Sequence, residues 1–466
     1  MSIENDQALA GAEPKRPEPV RKLRPGPGHS TAEVRASQLT RLRTAMVELT
    51  DEVGYEAVTV RGLAGRAEVS TRTFYQHFKG KQECLLDTYA EIMQRAARRV
   101  SDAHRGEKDG RDRLRLALDA FARHLADDPP AARLALVEVS AVGLAALSPM
   151  REVSRRFEAM LAGCIARVPG GADSISEPML KAIAAGVVRV ARVRVIRREE
   201  AELPGSVDEL LDWVLCLGGE AAADFERRAG LIVPATWAGR LPPVDEVARN
   251  DDTERRLLLS AATDLAAREG YWRLSGARIS AEAGLSPRSF AAHFKNAEAC
   301  FFACLQLLND RLLALAERES ARAPSWPSGI GRALSALAGH SARDPSLARL
   351  AFIDVFAPGV AGLRQRELLL GIVTERFRDT APARQRPDPV AADASIGAIW
   401  GAVHHYVAAG RADRLPGLVS LLWFLALAPA IGAERASHLI RSELRGPAVK
   451  SPLGEVSAVT HTATDG

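Results

Sequence analysis

Apolar residues recur at every third and fourth position through much of this chain. Leu39, Leu42, Met46, Leu49 and Val53 form one such stripe, the mark of a helix with a single buried face. Gly54 comes next and predicts its C-terminal stop. Leu114, Leu118, Phe121 and Leu125 repeat the spacing. Sustained strand-type alternation is lacking, and the Ala, Leu, Arg and Glu content favours helices, so the fold class read from the sequence is all-α. Between Val53 and Cys84 the signals shorten. Thr59 is placed to cap a helix over 60–67, a turn follows at Glu68 and Val69, Ser70 is placed to cap a helix over 71–78, and Lys81 opens another. Helix, tight turn and short polar helix is the helix-turn-helix plan.

The same pattern returns 216 residues later, where STRTFYQHFKGK (70–81) meets SPRSFAAHFKNA (286–297). At that offset Gly54, Tyr55, Ser70, Arg72, Phe74, His77, Phe78, Lys79 and Cys84 all meet identical residues, and the register persists from Asp128 to Leu147. Later, Leu203–Gly205 aligns with Leu415–Gly417 at an offset of 212, which implies small insertions or deletions. The chain is an internal duplication with two large units, too few and too long for a solenoid. The predicted layout is a basic, Pro-rich tail (1–33), a helix-turn-helix domain (34–90), a helical regulatory domain (91–230), a linker (231–250), a second and partly degenerate helix-turn-helix domain (251–306), its regulatory domain (307–446) and a tail (447–466).

Composition bounds the function classes more than it selects one. With 466 residues, 47% hydrophobic and 26% charged, the chain suits two to four globular domains. A net charge of +4 permits nucleic-acid binding without arguing for it, so only a local cluster can do that. Cys84, Cys164, Cys216, Cys300 and Cys304 lack the spacing of a secreted scaffold and read as thiols in a reducing cytoplasm. Cys300 and Cys304 share a helix face without other ligands at metal-site spacing, so no metal and no cofactor is expected. The N-terminus has no apolar core of the signal-peptide type. Leu418–Ala428, the greasiest run, stops at Pro429, short of the roughly 18–20 residues of a membrane span, and no membrane partner is expected. The prolines and cations of residues 14–28 read either as a solvating tail or as a basic arm on phosphates.

Phe74 and Phe78 give the second short helix a thin apolar back, facing Leu63 and Val69. Thr71, Arg72, Thr73, Gln76 and His77 are left outward or flanking, the residue types that read base edges, and Gln pairs bidentately with adenine. Tyr75 and Lys81 suit phosphate oxygens. A solvated helix with two core aromatics is the plainer reading of those nine residues alone. The longer run GYEAVTVRGLAGRAEVSTRTFYQHFKGKQECLL (54–86) resembles the DNA-binding domain of the tetracycline-repressor (TetR) family, on Gly54, Tyr55, Thr59, Ser70, Tyr75, His77, Phe78 and Lys81. The resemblance implies a three-helix head followed by a helical domain with a ligand cavity and a four-helix dimer interface. It also implies a double-stranded DNA operator as partner and a small apolar effector.

The second copy keeps the fold residues and thins the chemistry. Tyr75, Gln76 and Lys81 become Ala291, Ala292 and Ala297, while Arg288, His293 and Lys295 retain polar reach. Two arrangements follow: an intrachain pseudo-dimer, and a homodimer of chains that reads DNA through first heads only. Dimeric readers set equivalent helices about 34–36 Å apart, and a seam of roughly 24 residues with a span near ~27 Å lets two tethered halves pack as neighbours. Trp400, His404, Tyr406 and Trp423 are candidate pocket residues, which would place sensing in the second half, although core or dimer interface explains each singly. A catalytic reading of His404, His405, Glu199, Glu200 and Glu202 finds no nucleophile, base and orienting group in order. The predicted function is a TetR-type, sequence-specific, ligand-responsive repressor and not an enzyme. The alternative is a helical ligand-binding or interaction protein, or an enzyme with an unrecognised site, whose second head is vestigial.

Overall fold

In the computed structural model the described residues are 30–168, 175–229 and 252–445. Nearly all of the expected N-terminal tail, the linker and the C-terminal tail lie outside them. The first unit runs α1 (Thr31–Val53), α2 (Val60–Arg66), α3 (Thr71–His77), α4 (Lys81–Ala103), α5 (Gly110–Asp127), α6 (Pro129–Leu136), α7 (Leu147–Ile165), α8 (Glu177–Arg197), α9 (Val207–Gly218) and α10 (Glu220–Ala229). The second runs α11 (Thr253–Glu269), α12 (Gly276–Glu282), α13 (Pro287–His293), α14 (Ala297–Ala321), α15 (Trp326–Arg343), α16 (Pro345–Phe352), α17 (Val360–Thr380), α18 (Pro389–Ala408), α19 (Val419–Ile431) and α20 (Ala433–Arg445). Each helix of the first unit therefore has its counterpart ten labels later among the described residues.

Local chemistry explains the boundaries. α1 starts at Thr31, inside the stretch expected to be tail, because Ser30 and Glu33 form a reciprocal capping box. Asp128 and Asp344 cap α6 and α16 by accepting from Ala131 N and Leu347 N, each followed by a proline in the first turn. α3 ends one residue before the expected limit. Phe78 is extended there, φ −139° and ψ 143°, and enters the core behind Phe74.

The two units share one apolar core, which includes Val190 and Trp213 from the first and Ala394, Trp423 and Phe424 from the second. Phe225 stacks on Phe424 with ring centroids 4.5 Å apart, and Trp213 Nε1 donates to Ser395 Oγ at 3.0 Å. Fully burying an aromatic of this size contributes roughly 1.5–3 kcal/mol. The closest approach is α8 against α18. A Cβ on Gly401 would lie 2.3 Å from Ala185 Cβ, and one on Gly397 would lie 2.6 Å from Arg189 Cβ. At the 212 offset Gly397 is the counterpart of Ala185, and Gly401 that of Arg189. Each contact is thus repeated with the units exchanged, the signature of an isologous two-fold interface. Gly143 and Gly359 repeat the device: the first approaches Ala357 O and the second Ala141.

The greasy run extends further than its sequence suggests. α19 continues through Pro429 to Ile431, and with the preceding 3-10 segment the stretch Ala412–Ile431 reaches 20 residues at a mean hydropathy of 1.7, long and apolar enough to cross a membrane by composition. The same holds for 129–165 and 297–321. In the fold, every residue of α19 from Val419 to Ala428 is buried against protein.

Candidate nucleic-acid interface and inter-unit cavity

The first head is α1 to α3 with the start of α4. Its core is Leu42, Met46, Leu63, Phe74 and Phe78, which holds α2 and α3 at a fixed angle. The turn between them needs a left-handed residue, supplied by Glu68 at φ 50°, and Arg41 clamps it by donating to Ala67 O at 2.6 Å and Glu68 O at 3.3 Å.

This scaffold sorts the expected DNA residues into two groups. Thr71, Arg72, Tyr75 and Gln76 are exposed, Tyr75 to 60%, and among the described residues none takes a hydrogen bond from their side chains. They share the outer face of α3. The others are engaged inside the head. Thr59 Oγ1 accepts from Gly62 N at 3.0 Å and Ser70 Oγ from Thr73 N at 3.0 Å, so both are helix caps, and Thr73 Oγ1 lies 2.9 Å from Ser70 Oγ. His77, expected outward or flanking, is turned onto α1 with Nε2 3.2 Å from Gln38 Oε1, and desolvation there lowers its pKa. Lys81, expected on phosphate, donates to Tyr55 O at 3.2 Å and Glu56 O at 3.0 Å and lies 4.5 Å over the Tyr55 ring. It closes the 3-10 turn that ends the loop after α1.

The second head repeats the frame. Ser286 Oγ accepts from Ser289 N at 3.1 Å, Phe290 and Phe294 are buried, and His293 Nε2 stands 3.6 Å from Glu254, the counterpart of Gln38, and 3.6 Å from Asp252. Arg288 and Lys295 are exposed, but between them α13 presents Ala291 and Ala292.

Behind the heads lies a cavity of about 1020 Å³. Tyr89, Met93, Phe121 and Phe157 of the first unit stand on its apolar wall, and Phe356, Trp400 and His404 reach in from the second. Trp400 stacks on His404 with centroids 4.9 Å apart. His404 Nδ1 lies 2.9 Å from Phe352 O, so that nitrogen carries the proton, and burial pushes the imidazole down to about 4. Two expected pocket residues lie elsewhere. Tyr406 packs under Arg411 at 4.8 Å, and Trp423 is fully buried with Nε1 donating to Pro327 O at 2.8 Å. The expectation that the second half owns the pocket is corrected accordingly, since most of the wall is first-unit. The carboxylates Glu199 and Glu202 both bind Arg194, at 2.9 and 2.7 Å, and so finish α8. What the sequence reading missed are Arg189, Arg192 and Arg366 on the cavity wall; their placement inside otherwise apolar helical stripes was the available signal.

Residues 42–88 and 258–304 each match the family model of bacterial regulatory proteins, tetR family. Among solved structures, the chain is 19% identical to the transcriptional regulator FadR from Bacillus subtilis in complex with stearoyl-CoA, over 38% of this chain and 97% of that one, with a TM-score of 0.35. For the fatty acid degradation regulator FadR from Bacillus halodurans the values are 18%, 41%, 97% and 0.35. For a tetR-family regulatory protein from Rhodococcus RHA1 they are 18%, 39%, 97% and 0.34. No curated protein matches the chain. Each of the two matched segments is a helix-turn-helix head, so the chain carries two tandem TetR-like heads, each followed by its own helical domain.

Proposed function

We propose that the chain is a cytoplasmic, ligand-responsive repressor that acts as an intrachain pseudo-dimer. The observation that carries this reading is the cavity, whose wall is built by both units and by the helices that hold the heads. α4 leaves α3 after three residues and lines the cavity through Tyr89 and Met93, and Arg349 on α16 does so from the second unit. An occupant that favours a head spacing unlike one DNA turn must oppose DNA binding by the same coupling energy, typically 1–3 kcal/mol. On DNA, Gln76 and Thr71 read base edges, while Arg72 and Tyr75 hold phosphates. The second head adds phosphate contacts through Arg288 and Lys295 with little reading of sequence.

Selection from random duplexes, with sedimentation of the free protein, tests the arrangement. An intrachain pair predicts a particle near the 50.1 kDa of one chain and an imperfect palindrome. A second reading, a homodimer of chains using first heads only, is favoured by the bare surface of α13. It predicts twice that mass and a strict palindrome.

A further inference from the structure

The cavity that this reading assigns to an effector also carries buried charge. Arg189 and Arg192 on α8 and Arg366 on α17 are 3%, 8% and 6% exposed. Arg189 is fully engaged, with Glu367 at 3.3 Å, Thr374 Oγ1 at 3.2 Å, Asp393 O at 3.2 Å and the Asp393 carboxylate at 3.4 Å. Arg192 donates Nε to Leu136 O at 3.1 Å and stands 3.6 Å from Glu367. Arg366 also reaches Glu367 and lies 4.6 Å over the Trp400 ring. Its buried Nε has no hydrogen-bond partner among the described residues.

Three guanidiniums therefore meet two carboxylates, Glu367 and Asp393. The other wall carboxylates are already taken, Glu158 by Lys181 at 3.1 Å and Glu152 by Arg155 and Arg156. Desolvation pushes Arg189 and Arg192 down to about 10 and Arg366 well below its ordinary value. A guanidinium nevertheless stays charged in a protein, and an uncompensated buried charge is costly. The cluster is one anion short. It also has no twin. By the duplication offsets the counterpart of Arg192 is His404, kept neutral by burial, and that of Arg366 is Met150, and both line the same cavity.

We propose that the cavity takes one anionic amphiphile per chain, its acid head group held by Arg192 of the first unit and Arg366 of the second, and its apolar chain lying along Met93, Phe121 and Phe157. The proposal rests on the effector reading above. A carboxylate and a phosphate monoester both fit bidentate guanidinium chemistry, so the test uses four probes with one chain length: dodecanoate, dodecyl phosphate, dodecanol and dodecyltrimethylammonium. Titration calorimetry on the full chain should show one site per chain, with one of the acids bound at least tenfold more tightly than the alcohol or the cation, and the better acid identifies the head group. Arg366→Gln should remove that preference while dodecanol still binds, which also shows the variant to be folded. If all four probes bind alike and still weaken DNA binding, the effector reading stands and the anionic head is overturned. Two molecules per chain overturn the shared site. Failure of all four to bind overturns both.

Discussion

The two heads have the same skeleton and opposite surfaces. Both cap the third helix with a serine, both bury two phenylalanines behind it, and both turn the histidine onto the first helix, against Gln38 in one and beside Glu254 in the other. On the outer face of the third helix Tyr75 and Gln76 stand against Ala291 and Ala292, and inside the head Lys81 gives way to Ala297. A duplicated chain is its own control: a residue kept in both copies and turned onto the same neighbouring helix belongs to the frame, while an exposed residue that is lost from one copy is a candidate for what a single head does. By that criterion His77 belongs to the frame, while Tyr75 and Gln76 are the candidates for the DNA face proposed above.

The sharpest test converts one surface into the other. Replacing Tyr75 and Gln76 together by alanine should cost about 2–4 kcal/mol of affinity for a selected operator, one base-edge contact plus one phosphate contact. Fluorescence anisotropy against operator and random duplexes at fixed salt reads both terms. Unchanged specific affinity would remove α3 from the interface. The frame residue should behave differently: His77→Ala lowers stability by about 1 kcal/mol without changing which sequence is preferred.

The regulatory domains differ in a complementary way. Where α8 has Ala185 and Arg189, α18 has Gly397 and Gly401, and each large residue faces a small one across the pseudo-two-fold. Two first units paired with each other would set Arg189 against Ala185 on both sides, and two second units would leave glycine against glycine. Neither like pairing repeats the large-against-small match found within this chain. Gly401→Ala should therefore destabilise the chain by about 1–3 kcal/mol through overpacking, seen as a lower urea midpoint. A variant as stable as the parent would mean that α8 and α18 separate easily.

Much of this was legible in the sequence because it depended on local chemistry. Apolar spacing gave the helices, Thr59 and Ser70 gave the caps, and the 216-residue repeat gave the two units. The outward face of α3 was legible for the same reason, since Phe74 and Phe78 leave only one face for Tyr75 and Gln76. What was not legible depended on contacts distant in sequence. Nothing near Lys81 announces the carbonyls of Tyr55 and Glu56, nor does anything near His77 announce Gln38. The aromatics Tyr406 and Trp423 resemble pocket residues in composition, yet tertiary packing assigns one to Arg411 and the other to Pro327.

His404 sits where the first unit has Arg192, and of the two positions only His404 should respond to mild acid. The unfolded imidazole titrates near 6.5 and the folded one at about 4. As pH falls through that window the unfolded chain takes the proton first, so stability contributed by the neutral ring is complete above about 6.5 and is lost toward 4. Discounting for solvent reaching the cavity, the loss should be about 1–2 kcal/mol. Chemical denaturation at pH 7 and pH 5 of the parent and of His404→Gln measures it: the difference should shrink by that amount in the variant, while the other histidines lowered by burial keep their share. Arg192 titrates far above this range and contributes no such slope.

The smallest expected effect comes from the left-handed positions. The turn between the two short helices has Glu68 at φ 50° in the first head and Gly284 at φ 67° in the second, and the left-handed position that closes the long eighth helix is Arg198 at φ 61° in the first unit and Gly410, two residues beyond α18, at φ 69° in the second. A side chain at such a φ costs roughly 1–2 kcal/mol in steric terms, of which the greater freedom of an unfolded glycine offsets roughly 0.5–1 kcal/mol. Glu68→Gly should then stabilise the first head by about 0.5–1 kcal/mol, and Gly284→Glu should destabilise the second by the same amount. Arg41 binds the carbonyls of Ala67 and Glu68, not a side chain, so the clamp on the turn survives the exchange and DNA affinity should not change. Hydrogen exchange of the amides in α2 and α3 resolves a shift of this size. Faster exchange in the glycine variant would mean that the Glu68 side chain steadies the turn more than its φ strains it.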